Sequence, residues 1–251
     1  MKIAIVTGAS SGLGREFARQ LISEYPDVEQ LWLIARRRDR LEELAKSLPR
    51  PALCLGLDLC DPMSFTVLQE KLLSEQPEVL LLVNNAGVGY WGNLGETDTV
   101  LQTRMIDLNL RALTAVTSLT LPYLPKGGRI LNVSSIAAFC PNARMTVYSS
   151  TKAFVSHFTV GLGEELRSRG ISVTAVCPGP MATEFCDTGG ITGNSRMFEL
   201  LPYCDQVRVA HGALLAAKRR RSIYTPTAFY KFYRLAAKLT PMKLMAKLTK
   251  T

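Results

Sequence analysis

Tyr148 and Lys152 stand four residues apart in a segment with helical spacing, so both side chains leave one face of a helix. A free tyrosine titrates at about 10, too high for efficient acid–base work at neutral pH. A nearby ammonium favours the phenolate and lowers that value. The second set is Thr7-Gly8-Ala9-Ser10-Ser11-Gly12-Leu13-Gly14, between a short apolar run and a helical one. Glycines at such a turn let backbone approach a ligand and let the helix sit close to a sheet. The helix start then offers free N–H groups and partial positive charge to phosphate. The spacing is G-x-x-x-G-x-G, not G-x-G-x-x-G, and no Lys-Ser/Thr follows, which excludes a nucleoside-triphosphate loop. The third set, Ala35-Arg36-Arg37-Arg38, ends the second apolar run. An NAD site usually carries a carboxylate there for the ribose 2′-OH. Guanidinium suits a 2′-phosphate instead, which points to NADP(H), with Arg36 the main contact and Arg37 the next.

Elements must hold these groups in place. Apolar runs at 2–6, 31–35, 52–57, 79–83, 129–133, 171–176 and 222–224 read as strands. Helical stretches at about 12–25, 39–48, 61–74, 99–121, 146–169 and 205–217 fall between them. The run VLLLV at 79–83 does not alternate, as expected when both sheet faces are covered. Strands alternating with helices make βαβ units. The expected fold is therefore α/β, one doubly wound parallel sheet of about seven strands with helices on both faces. Residues 1–225 read as one domain. Residues 180–204, with Pro180, Gly189, Gly190, Gly193 and Pro202, read as a mobile loop, and 226–251 as a basic tail.

The chain has 251 residues, 47% hydrophobic and 20% charged, a globular composition. Six cysteines without a C-x-x-C pair, beside two histidines, exclude a zinc ribbon and argue against a disulfide scaffold. Apolar runs fall far short of the ~18 residues that span a bilayer, and the first is too short for a signal-peptide core. A reduced, cytoplasmic protein is the expectation. The net charge is +9, yet no acidic residue follows Asp205 and eleven of the thirty Lys and Arg lie in 206–251. The first 205 residues are nearly neutral, nineteen basic against twenty-one acidic, which argues against a basic groove for nucleic acid.

Six motifs in order resemble the short-chain dehydrogenase/reductase family over residues 2 to about 225. They are the glycine motif at 7–14, Asn84-Asn85-Ala86-Gly87, Asn109, Ser135, Tyr148-x-x-x-Lys152 and Pro178-Gly179-x-x-x-Thr183. The resemblance implies a Rossmann-type domain and a catalytic set of Asn109, Ser135, Tyr148 and Lys152. Tyr148 would be the general acid in carbonyl reduction and the base in alcohol oxidation. Lys152 would also hydrogen-bond the nicotinamide ribose, Ser135 the substrate oxygen, and Asn109 a water linking Lys152 to solvent. Dinucleotide contacts carried over by position are Gly8, Ser10, Ser11, Gly12, Leu13 and Gly14, then Arg36 and Arg37. Asp58 and Leu59 would meet the adenine, and Asn85, Ala86 and Gly87 its ribose side. Pro178, Gly179 and Thr183 would meet the nicotinamide, beside Tyr148 and Lys152. The resemblance also implies a homodimer or homotetramer through the helices at 99–121 and 146–169.

Candidate substrate contacts are Trp91, Phe139, Met145, Met181 and Phe185, with Tyr90 beside them. This aromatic and flexible-apolar set suits a hydrophobic ketone or aldehyde. A 3-ketoacyl-type reductase and a non-catalytic NADP(H)-binding sensor or scaffold are the alternatives. The tail reads as two short basic amphipathic helices. They either touch anionic lipid weakly or pack their apolar face on the body or a sister subunit beside the pocket.

Overall fold

The computed structural model describes residues 1–190 and 200–249. Its strands are β1 (Lys2–Thr7), β2 (Gln30–Ala35), β3 (Ala52–Gly56), β4 (Glu78–Asn84), β5 (Arg129–Val133), β6 (Ser172–Val176) and β7 (Ile223–Tyr224). They form one parallel sheet in the order β3-β2-β1-β4-β5-β6-β7. Helices α1 (Gly12–Glu24), α2 (Arg38–Lys46), α3 (Met63–Glu75), α4 (Thr99–Ile106), α5 (Leu113–Thr120) and α6 (Thr146–Glu165) connect them. After β6 come α7 (Glu184–Thr188), α8 (Gln206–Lys218), α9 (Ala228–Leu239) and α10 (Met242–Leu248).

Alternate residues of β1 serve the two faces of the sheet. Ala4 and Val6 pack with Phe17 and Leu21 of α1 and Leu214 of α8. Ile3 and Ile5 pack with Leu68 and Leu72 of α3, Val116 of α5 and Leu162 of α6. Both faces are apolar because both are covered, which is why these strands show no alternation. The strand order reverses direction between β1 and β4. A crevice opens there beyond the carboxyl ends of the strands, the place where such sheets hold ligands.

The helix expected over 99–121 is interrupted. Asp107–Ala112 winds as a π turn between α4 and α5, and Leu121–Tyr123 closes in a 3-10 turn. Asn109 sits in the π turn, where its Oδ1 accepts from Val88 N at 2.9 Å and its Nδ2 donates to Val88 O at 2.9 Å. A π turn inserts one residue and re-aims a side chain, which apolar spacing cannot reveal. Of the loop expected at 180–204, the part 191–199 lies outside the described residues; 184–188 is helical.

The tail forms two helices whose inner face packs on the body. Tyr230 is fully buried against Gly179, where a Cβ would collide with its ring, and its hydroxyl donates to Pro202 O at 2.6 Å. Tyr233 Oη lies 2.7 Å from Cys140 Sγ, and Thr249 Oγ1 donates to Pro141 O at 3.1 Å. No described helix is long and apolar enough to cross a membrane.

Candidate active site

A cavity of about 310 Å³ opens beyond the carboxyl ends of β1 to β6. At one end lies the glycine turn. Gly8 adopts φ 67°, open to glycine at little cost, and donates to Ile34 O at 2.7 Å. Thr7 Oγ1 accepts from the N–H groups of Asn85 and Ala86 at 3.0 Å, which ties the turn to the end of β4. Gly8, Ser10, Ser11, Gly12 and Leu13 form this wall with Asn85, Ala86 and Gly87 opposite. Gly14, expected among the cofactor contacts, is not on the wall. A Cβ there would strike Gly8 O and Asn85 Nδ2, so its smallness lets α1 approach β1.

The first turn of α1 faces the cavity without a competitor. Ser11 makes no side-chain capping bond, and the turn carries no acidic residue. Its N–H groups therefore remain available to an anion. Arg36 and Arg37 extend the wall. Arg37 pairs with Glu184 at 2.8 Å and reaches Ser10 Oγ at 3.3 Å. Arg40, not anticipated from sequence, pairs with Glu184 at 2.6 Å. Hydrogen bonds from Arg40 and then Arg37 hold the Glu184 carboxyl below the usual carboxylate range. Asp58 and Leu59 also line the cavity. Burial pushes the Asp58 carboxyl up, but the Cys60 N–H and Arg104 more than offset this and leave it below its ordinary value. Backbone N–H groups, hydroxyls and guanidinium in one trough are a donor set that fits a phosphorylated dinucleotide.

At the other end Ser135, Tyr148 and Lys152 share one wall. Tyr148 and Lys152 are 7% and 5% exposed. Lys152 Nζ donates to Val133 O at 2.9 Å and lies 5.7 Å from the centroid of the Tyr148 ring. Burial pushes the Tyr148 hydroxyl up to about 12, against a hydrogen bond with Ser135 that pulls it down. Burial pulls the Lys152 ammonium down to about 8. The tyrosine therefore lies above its ordinary value here and not below it as expected, because burial outweighs the Ser135 hydrogen bond. Asn109 is not on the wall. Asn109 and Lys152 both crowd Gly87, where a Cβ would lie 3.0 Å from Asn109 Oδ1 and 3.4 Å from Lys152 Nζ. The second amide hydrogen of Asn109 goes to Thr151 Oγ1 at 3.0 Å, so both are committed within the protein.

A family model for short chain dehydrogenases matches residues 2–189. The chain is a short-chain dehydrogenase. An uncharacterized oxidoreductase of Staphylococcus epidermidis is 30% identical over 208 residues, 82% of this chain and 89% of that protein. Sulfoacetaldehyde reductase 2 of Chromohalobacter salexigens is 36% identical over 197 residues, 75% of this chain and 77% of that one. A short-chain dehydrogenase from Sphingobium yanoikuyae, solved in complex with NADPH, superposes with a TM-score of 0.81 at 27% identity. That match covers 98% of this chain and 95% of the other.

Between its two ends the dehydrogenase presents an apolar surface. Met145, Met181 and Phe185 line it, the Phe185 ring 5.6 Å from that of Tyr148. Pro178, Gly179 and Thr183 line it from the β6 side. Trp91 and Phe139, expected to touch substrate, do not reach the cavity. Trp91 packs behind it with Arg144 5.1 Å above its ring, and Tyr90 lies in the same cluster. Phe139 is covered by Tyr233, ring centroids 6.3 Å apart. Among the lining residues that sequence reasoning missed are Tyr233 and Thr249 of the tail, Asn142, Glu184 and Leu201. The apolar and aromatic spacing of the tail was the signal for packing. The tail packs beside the pocket, as one of the two readings of its sequence had it, but the spacing did not say which of its residues would reach the cavity.

Proposed function

We propose that this dehydrogenase is an NADP(H)-dependent carbonyl reductase, working in reverse as an alcohol dehydrogenase. One observation carries the reading: Ser135, Tyr148 and Lys152 converge on one wall of a cavity whose far end is lined by the glycine turn, the start of α1, Arg36 and Arg37. The glycine turn and the α1 N-terminus would hold the diphosphate, and the arginines the 2′-phosphate. When bound, the nicotinamide dinucleotide supplies the hydride for reduction or accepts it in oxidation.

The protein's own groups handle the oxygen and its proton. Tyr148, held protonated by burial, donates its hydroxyl proton to the carbonyl oxygen. Ser135 hydrogen-bonds the same oxygen and stabilises its developing charge. Lys152 keeps a cation near the phenolate that Tyr148 becomes, which favours proton release. Asn109 acts as a positioning residue, tying the π turn to Val88 beside Gly87. Met145, Met181, Phe185 and Leu201 favour a hydrophobic ketone or aldehyde. Exposed apolar side chains on α4 (Val100, Ile106) and α6 (Phe154, Val160) support pairing of two copies through these helices. Six free cysteines suit a reducing cytoplasm.

The test is NADPH consumption against carbonyl compounds graded in size and charge, with NADH in parallel. Turnover of hydrophobic members with NADPH, and far less with NADH, is the expected result. Dinucleotide binding without turnover across the panel would favour a sensor instead.

A further inference from the structure

Helix α9 has three faces. At roughly 100° per residue, Tyr230, Tyr233 and Ala237 project to the side that packs on the body. Phe232, Leu235 and Leu239 fall within about 60° of one another on a second side, and Phe229 extends it. This second side is open, with Phe232 71% and Leu239 75% exposed. Met242 and Leu248 of α10 are exposed as well. Lys231 and Lys238 border the apolar arc, and Lys243 and Lys247 stand out from α10, all four exposed. No acidic residue follows Asp205. None of the four lysines makes an ion pair among the described residues.

We propose that this face docks on an anionic lipid surface. Large apolar side chains bordered by ammonium groups match both halves of such a surface, acyl chains below and phosphates above. A second copy is a poorer occupant, because two such faces would oppose lysine to lysine. An acidic protein would satisfy the lysines but set charge against Phe232 and Leu239.

The docking face is the outside of a wall whose inside belongs to the cavity. Tyr233 of α9 and Thr249, just past α10, line that cavity. Docking therefore brings the apolar end of the cavity beside the bilayer. The substrate class that follows is a carbonyl compound partitioned into membrane. This last step rests on the carbonyl-reductase reading; the docking does not.

The experiment is co-sedimentation of the full chain with phosphatidylcholine vesicles, with and without roughly one-third phosphatidylglycerol, at low ionic strength. Two double variants are compared, Phe232→Ser with Leu239→Ser, and Lys243→Glu with Lys247→Glu; none of these residues lines the cavity. The expected result is binding to anionic vesicles, about tenfold or more weaker without phosphatidylglycerol and in each variant. Unchanged melting temperatures would show that the variants fold. Three results would overturn the proposal: no association of the wild type with anionic vesicles, equal binding by both folded variants, or loss of a wild-type dimer on light scattering in the serine variant. Binding is read without turnover, so its failure is distinct from failure of the reductase reading.

Discussion

Exposed and buried basic residues carry opposite lessons about charge. Arg36 and Arg37 border an open trough, where a 2′-phosphate would meet Arg36 and compete with Glu184 for Arg37. Replacing both with serine is expected to weaken NADPH binding about tenfold to a hundredfold and to leave NADH within about threefold. Fluorescence titration with each dinucleotide checks this, and equal losses for both would contradict it. Lys152 is buried, and its ammonium is drawn down from 10.5 to about 8. Between those values the unfolded chain holds a proton that the folded chain has released, so stability rises with pH across this window. Below about 8 the folded protein bears the full cost of the buried charge. Relative to Lys152→Met, the wild type is expected to gain about 3 kcal/mol between about pH 7 and about pH 10, read by urea unfolding at each pH. A difference that stays flat with pH would mean that the ammonium is solvated.

At the scale of elements, the glycine turn shows how closely α1 must approach β1. Gly14→Ala places a methyl group against Gly8 O and Asn85 Nδ2, backbone and a pinned side chain that cannot yield cheaply. The expected loss is about 2–3 kcal/mol of stability, together with dinucleotide affinity; denaturant unfolding and titration report the two. A variant of wild-type stability would refute this close contact. These parts were legible in the sequence because each depends on neighbours within a few residues: the turn, the strand-end asparagines and the Tyr148–Lys152 pair. What was not legible depends on contacts between distant segments. The π turn answers to the Val88 backbone, Trp91 and Phe139 turn away because other side chains cover them, and Glu184 crosses to Arg37 and Arg40. The Tyr148 and Lys152 shifts also escaped, because spacing gives their proximity but not their burial.

At the scale of the whole molecule, the sheet order sets where chemistry can happen. The reversal between β1 and β4 opens one crevice, and every strand end from β1 to β6 delivers a residue to it. The tail closes that crevice from the far side, so residues separated by most of the chain share one wall. On the proposed reading, dinucleotide binding at the glycine turn and proton transfer at Tyr148 are separable functions. The most direct test is to measure NADPH binding and turnover together for Tyr148→Phe. The variant lacks only a hydroxyl and keeps the ring that packs on Phe185. The expected result is NADPH affinity within about threefold of wild type and turnover reduced by about a thousandfold or more, the loss of an acid with its hydrogen bond to the reacting oxygen. Near-normal turnover would contradict the account, since the proton would then come from another group.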